Sequence, residues 1–455
     1  MKGIDEVISY AREKGVRIVK FAFVGLDGVL RAKASYIDSL REHFETGIGI
    51  TMAMQSFTTL DTLTQNPRFG PEADDVFLTP DPETFSHIPH SPGIGRVICD
   101  LKLGDGREWS FCTRSLLRRL TRRWRDRSGL EFRVAAETEF YVLKHGEQGE
   151  AKPIDWERCF STVGYETLSE IAQKIIDGLN AANVRVVRLI KEYGPGQLEI
   201  NMAHTDPVRA ADNMLILRDT ARGAASVMGL TATFMPKPFD WHAGNGMHLH
   251  ISAIDPESGK NLFYDDGDPR RLNLSELAYS FIAGILKHIK ALAAIVSPTI
   301  NSYKRLIPGS WAPSATCYGY NNRSAAIRVP ASQSLVENSS KRIEFRVPDP
   351  SSNPYLAIAA TLAAGMDGVE RGLDPGDPVN KDAYMLSAEE MERYGVEFLP
   401  RSLREALEHL KKDVYIKEAL GEELINEFIK VKMSECEAYE RHVSPWEIKN
   451  YMNVF

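Results

Sequence analysis

The chain has no apolar stretch approaching the roughly 20 residues that a membrane-crossing helix needs, so nothing in it reads as a bilayer span. It has no Cys-x-x-Cys pair. Its five cysteines (Cys99, Cys112, Cys159, Cys317 and Cys436) are scattered and odd in number, which excludes a zinc-finger spacing and fits free thiols in a reducing compartment. Positive charge is not in excess either. With 55 basic against 62 acidic residues the formal charge is -7, which argues against nucleic acid as a partner and leaves anionic ligands to local basic clusters. No P-loop and no dinucleotide fingerprint occurs, so any nucleotide is held in another way. Low-complexity tracts and internal repeats are missing too. The first fifteen residues mix charges into every turn, which predicts no signal peptide and a cytoplasmic location.

What is present is the composition of a large globular protein: 455 residues, 43% hydrophobic and 26% charged. That length predicts two or more cores. Ile4 to Lys14 has helical spacing, Arg17 to Val24 alternates as a strand, and Leu26-Asp27-Gly28 turns the chain into a second strand, Val29 to Ser35. Pro80 to Gly95 reads as connecting loop, followed by a strand from Arg96 to Leu101. We place a boundary near residue 105, giving a small α+β unit over 1–105 and a larger unit over 106–455. In the larger unit, Leu168 to Asn180, Pro207 to Met228, Leu274 to Val296 and Glu422 to Tyr439 show helical spacing. The basic segment Arg114 to Arg127 puts Leu116, Leu117, Leu120 and Trp124 on one face, so its arginines are expected on a solvated or subunit-facing side.

The chemistry is carried by acidic residues and histidines at period-two spacing. Glu137 and Glu139 stand two apart on one predicted strand, His248 and His250 on another, and Glu344 sits between Arg342 and Arg346 on a third. The Gly194-Pro195-Gly196 turn can fold two strands together and bring Glu192 near Glu199. One such polar face is an ordinary solvated strand; four in one chain point to a site. Carboxylates with an imidazole suit Mg²⁺ or Mn²⁺, and arginines beside them suit phosphate. Together they describe a phosphoryl-transfer site.

Seven motifs in order resemble the glutamine synthetase superfamily along nearly the whole chain. They are Glu-Thr-Glu-Phe at 137–140, Gly-Pro-Gly-Gln-Leu-Glu at 194–199, Phe-Met-Pro-Lys-Pro at 234–238, Gly-Met-His-Leu-His at 246–250, Asn-Ser-Tyr-Lys-Arg-Leu-Ile-Pro-Gly at 301–309, Asn-Arg-Ser-Ala-Ala-Ile-Arg at 322–328 and Arg-Ile-Glu-Phe-Arg-Val-Pro-Asp-Pro at 342–350. The resemblance implies an α+β protein: a small amino-terminal β-grasp domain and a large catalytic domain whose curved antiparallel sheet is surrounded by helices. It implies ATP as co-substrate and two or more Mg²⁺ or Mn²⁺ ions per site, one held by Glu139, Glu192 and Glu199, another by Glu137, His248 and Glu344. Gly244, Arg305, Arg323 and Arg346 match glutamate-binding positions; His250, Ser252, Arg323, Arg328 and Arg342 match the nucleotide side. Arg323, Arg346 and Trp311 fall at positions taking part in catalysis. The implied reaction makes γ-glutamyl phosphate, which an amine or ammonia then attacks. The implied assembly is a homododecamer of two hexameric rings with active sites shared between subunits.

Two departures fall on one function. Where ammonia-using members carry Phe-Asp-Gly-Ser-Ser, this chain has Gly49-Ile50-Thr51-Met52-Ala53-Met54, and where they carry a glutamate after the Lys-Arg-Leu-Val-Pro-Gly motif it has Trp311 in Ser310-Trp311-Ala312-Pro313. Thr51, Met54 and Trp311 offer apolar and aromatic surface suited to an alkylamine or arylamine. The Trp-Ala-Pro element and Gly319 to Ser324 resemble the γ-glutamylmethylamide synthetase branch. A small primary amine is therefore the expected acceptor. A glutamine synthetase using ammonia is the alternative, and a catalytically dead structural homologue the remote one. Tyr384 falls near a position adenylylated in some bacterial members, in a different context, and reads as an ordinary surface tyrosine.

Overall fold

A computed structural model describes residues 3–146 and 150–455. The amino-terminal unit is a six-stranded sheet built from β1 (Ile18–Val24), β2 (Leu30–Tyr36), β3 (Ile48–Thr51), β4 (Asp75–Pro80), β5 (Ser86–His87) and β6 (Ile94–Lys102). Its order is β2-β1-β6-β4-β3 with β5 on β6; β1 and β6 run parallel and the other pairs antiparallel. The expected turn at Leu26-Asp27-Gly28 joins β1 to β2, with the Asp27 carboxylate accepting from the Val29 amide at 3.0 Å and from both terminal nitrogens of Arg31. The segment read as loop after Pro80 is mostly that, interrupted by the short β5.

The larger unit holds a nine-stranded sheet made of β7 (Glu131–His145), β8 (Ala151–Pro153), β9 (Val186–Lys191), β10 (Gln197–Met202), β11 (Thr231–Thr233), β12 (Met247–Ile254), β13 (Ala315–Tyr320), β14 (Ala325–Val329) and β15 (Ile343–Phe345). The order is β13-β14-β15-β12-β7-β10-β9, with β8 and β11 on β7. It is antiparallel except for β13 and β14, which pair in parallel. The four expected helices form as Ser169–Ala181, Pro207–Val227, Glu276–Val296 and Glu422–Glu440. Glu276–Val296 is long and apolar enough by composition to cross a membrane, yet it is a core helix packed along Pro354–Arg371, which is itself buried over most of its length. The two approach backbone to backbone: a Cβ at Gly284 would stand 2.7 Å from the Gly368 amide nitrogen.

One buried apolar cluster runs through both units, from Val7 to Cys436. Buried charge also crosses between them. Arg96 and Lys20 both bind Asp219, and Lys432 donates to the Asp27 carbonyl at 3.1 Å. The basic helix forms over Thr113–Ser128 with Leu116, Leu117, Leu120 and Trp124 buried as expected. Its first arginine departs from expectation. Arg114 is 3% exposed and bonds Asp212, Asp81 and Asp100. A guanidinium placed at the seam with three carboxylates stays charged without water, because each hydrogen bond to an ionised partner offsets lost hydration.

Candidate active site

Strand register assembles the site. Glu199 on β10 lies opposite Glu139 on β7, and His248 on β12 opposite Glu137. Glu344 on β15 lies opposite both His250 on β12 and Arg328 on β14. Cross-strand partners share a face, and so do residues two apart. Glu137, Glu139, Glu199, His248, His250 and Glu344 therefore line one face, while Thr138, Phe140, Leu198, Leu249 and Phe345 between them are buried in the core. Glu192 joins them through the turn after β9. Its amide donates to the Gln197 carbonyl at 2.9 Å, and Gly196 takes the left-handed conformation (φ 69°) where a Cβ would stand 2.6 Å from the Val142 carbonyl oxygen.

Three residues that the sequence reading passed over hold this arrangement. Lys191 is completely buried, and its ammonium donates to the carbonyls of Glu157, Glu192 and Gly194 at 3.2, 2.9 and 2.8 Å. Burial lowers its pKa. Gln197 Nε2 reaches Glu139 and the Gly244 carbonyl at 3.4 and 3.0 Å, and Asn201 Nδ2 donates to Glu137 at 3.0 Å. Gln197 lies within the motif at 194–199, whereas Lys191 and Asn201 carry no sequence signal, since Lys and Asn are common on polar strand faces.

The acidic groups divide by their surroundings. Burial, reinforced by Glu192, pushes Glu139 up to about 8. Burial and the charges of Glu137, Glu139 and Glu192 push Glu199 up to about 10, and burial also raises Glu192. Glu137 and Glu344 go the other way. Burial opposes their ionisation, but His250 and His248 hold Glu137 far below the usual carboxylate range, and Arg346 with the same histidines holds Glu344 at about 2. Glu344 is fully buried, bonded to Arg346 and Arg328 at 2.5 Å each. Crowded carboxylates that resist ionisation are what an oxygen-preferring divalent cation would relieve.

The donor set fits such a cation. Glu137, His250 and Glu344 present ligand atoms all within 4.8 Å of one another, and His248 Nδ1 lies 3.6 Å from Glu137 and 3.5 Å from Glu344. The two imidazoles are not equivalent. Arg342 Nε donates to His250 Nδ1 at 2.9 Å, so a neutral His250 carries its proton on Nε2, facing Glu137 Oε1 at 3.1 Å. His248 Nδ1 and His250 Nε2 are both buried with no hydrogen-bond partner, and burial lowers the His248 pKa to about 4. Among the described residues, Glu139, Glu192 and Glu199 do not close to that spacing.

A cavity of 1090 Å³ opens beside this face, lined by Glu137, His250, Ser252 and Arg342 together with Arg133, Arg185 and Arg188. The charge and size suit a nucleotide. On the other side, Arg305 is buried and donates to the carbonyls of Val347 and Arg346 at 2.8 and 2.9 Å. Arg346 donates through Nε to the Arg323 carbonyl at 3.1 Å and through Nη2 to the Trp311 carbonyl at 3.2 Å. Arg323 itself is exposed, its positive charge lowering the pKa of Glu192 against the larger effect of burial. It lines a 490 Å³ cavity with Trp311 and Tyr384.

Within one chain Thr51 and Met54 are not among the residues that line the cavity around Trp311. Thr51 accepts from the Ala53 amide and Met54 packs on the main core. Tyr384 is no ordinary surface tyrosine: it is half-buried, its hydroxyl donates to the Ala312 carbonyl, and burial pushes its pKa up to about 12.

The family model of the glutamine synthetase N-terminal domain matches residues 1–109 and that of the glutamine synthetase catalytic domain residues 110–451. A glutamate–methylamine ligase of Methyloversatilis universalis is 36% identical over 463 residues, covering 99% of both chains. A glutamine synthetase of Thermococcus kodakarensis is 37% identical over 468 residues, covering 100% of this chain and 99% of its own. Among solved structures, a GmaS/ADP complex superposes with a TM-score of 0.85 at 30% identity, covering 98% of this chain and 99% of that one. The chain belongs to the glutamine synthetase family of ATP-dependent carbon–nitrogen ligases.

Proposed function

We propose that the chain joins the γ-carboxylate of glutamate to a small primary amine, using ATP. In this reading the nucleotide lies in the cavity bordered by His250, Ser252 and Arg342, and Arg323 and Arg328, by their match to the family pattern, serve its phosphates. Glutamate is held at Gly244, Arg305, Arg323 and Arg346. Glu139, Glu192 and Glu199 would hold one Mg²⁺ or Mn²⁺, and Glu137, His248 and Glu344 another. Such ions, when bound, neutralise charge spread over the transferring phosphoryl oxygens. The γ-phosphoryl group passes to the glutamate carboxylate, and the amine nitrogen displaces phosphate from the γ-glutamyl phosphate.

The observation that carries the choice of acceptor is Trp311. Trp311 is 61% exposed and its backbone carbonyl is bonded to Arg346, so an indole rather than a carboxylate borders the proposed glutamate contact. The indole gives a bare ammonium ion no anionic partner to offset its lost hydration. An alkyl substituent gains on the order of 0.8 kcal/mol per buried CH₂, and one or two carbons give a preference of about tenfold. Ammonia as acceptor is the second reading, favoured by the similar identity to named glutamine synthetases. Thr51 and Met54 are not among the residues lining the cavity around Trp311 in one chain, as expected if a neighbouring subunit completes the amine site in a ring-shaped homo-oligomer. The test is kcat/KM for ammonium, methylamine, ethylamine and isopropylamine at one pH, corrected for the free base of each. An alkylamine should lead; ammonium in front after correction overturns the reading.

A further inference from the structure

We propose that Tyr193 and Trp311 form one aromatic wall that receives the carbon body of the acceptor amine, and that Tyr384 is a positioning residue holding Trp311 in that wall. The inference rests on the amine reading above and goes on to name residues that decide which amine is used.

Tyr193 and Trp311 come from distant parts of the chain, yet their ring centroids lie 6.0 Å apart at 30°. Both remain largely uncovered, 56% and 61% exposed. A pair of large rings touching each other and otherwise wet is apolar surface with a face to spare. Its position ties it to the chemistry from both sides. Tyr193 directly follows Glu192, and its amide donates to the Glu192 carboxylate at 3.2 Å. The Trp311 carbonyl accepts from Arg346, which also bonds Glu344. The wall therefore stands between the Glu192 turn and the Arg346 contact, beside the site.

The Trp311 backbone is held in a conformation that it would not choose alone. Its φ is 61°, in the left-handed region that a bulky side chain avoids unless the surroundings fix it. The fixing bonds lie on the residue itself and on both neighbours. The Ser310 hydroxyl contacts the carbonyls of Arg305 and Ile307 at 2.9 and 2.6 Å, Arg346 donates to the Trp311 carbonyl, and Tyr384 donates to the Ala312 carbonyl. Tyr384 reaches this element from more than seventy residues away, which gives its buried hydroxyl a purpose: it keeps the indole against Tyr193. Ring faces attract the cationic amine as well as sheltering its carbon. The wall suits a primary amine bearing a few carbons or a flat ring.

The assay reads the ratio of kcat/KM for each amine of a series from methylamine to benzylamine over kcat/KM for ammonium, in wild type, Tyr193→Ala, Tyr193→Phe and Tyr384→Phe. A general loss of activity cancels from this ratio. Tyr193→Ala should lower it about tenfold for the preferred amine, the loss expected when contact to one or two carbons goes. Tyr193→Phe should keep the ratio. Tyr384→Phe should move it in the same direction as Tyr193→Ala, by raising KM for the amine and not for glutamate. A wild type that prefers an amine, with a ratio unmoved by Tyr193→Ala, overturns the wall alone. Equal losses for amine and ammonium in Tyr193→Ala also overturn it, since they mean that Tyr193 merely supports Glu192. An unmoved ratio in Tyr384→Phe removes the positioning role. A wild type preferring ammonium over every amine takes down the amine reading and the wall with it.

Discussion

Glu199→Gln offers the sharpest test of the acidic cluster. With Glu139 raised to about 8 and Glu199 to about 10, both carboxyls hold a proton in the metal-free enzyme at pH 7. A divalent cation requires them ionised, so binding must expel those protons. Glu139 and Glu199 both contribute to that release, and affinity should rise with pH by about a decade per pH unit for each proton expelled. Glutamine copies the shape of the protonated carboxyl and leaves its neighbours' field unchanged. Glu199→Gln should therefore release about one proton fewer, with an affinity slope shallower by about tenfold per pH unit. The measurement is calorimetric titration with Mn²⁺ in buffers of different ionisation enthalpy, which counts protons directly. The same linkage sets metal-free stability. Above the ordinary carboxylate pKa of 4.5 the unfolded chain has lost protons that the folded chain keeps, so stability falls as pH rises toward 8, by about 1.4 kcal/mol per pH unit for each proton held. Equal proton counts for wild type and Glu199→Gln, or none for wild type, would refute this account.

Glu344→Ala should abolish turnover and also lower thermal stability by roughly 3–5 kcal/mol, because it strands Arg328 and Arg346 in a buried site; Glu139→Ala should abolish turnover in a well-folded protein, and circular-dichroism melts separate the two. Lys191→Met removes the ammionium-centred bonds to three turn carbonyls and should weaken Mn²⁺ binding by about tenfold through Glu192, as loss of an outer-sphere support does; unchanged binding would show that the turn holds itself. Trp311→Glu should shift the ratio of ammonium to alkylamine kcat/KM toward ammonium, about tenfold by loss of the apolar contact, and no shift would leave the indole without a part in selection.

Much of the site was readable in advance for a simple reason. A strand alternates its faces, so Glu137 with Glu139 and His248 with His250 had to point the same way whatever the rest of the fold did. The turn at Gly194 to Gly196 likewise announced itself, since only glycine accepts φ 69° with a carbonyl 2.6 Å from where its Cβ would be. Tertiary packing overrode the sequence elsewhere. A helix with arginine in every turn looked solvated along its polar side, but Arg114 sits at the seam between the units, where Asp81, Asp100 and Asp212 arrive from three separate segments. Tyr384 looked like surface because its partner is a backbone carbonyl 72 residues earlier.

The sequence by itself determined which side chains share a face and that carboxylates, imidazoles and arginines would collect on one sheet, because those follow from strand period and local turn chemistry. Only the tertiary structure decided which imidazole Arg342 would bond, which carboxyls resist ionisation, and that Tyr193 would meet Trp311. Those outcomes depend on distances between segments and on the water excluded around them. Burial and neighbouring charge act through space, and the order of residues along the chain does not contain them.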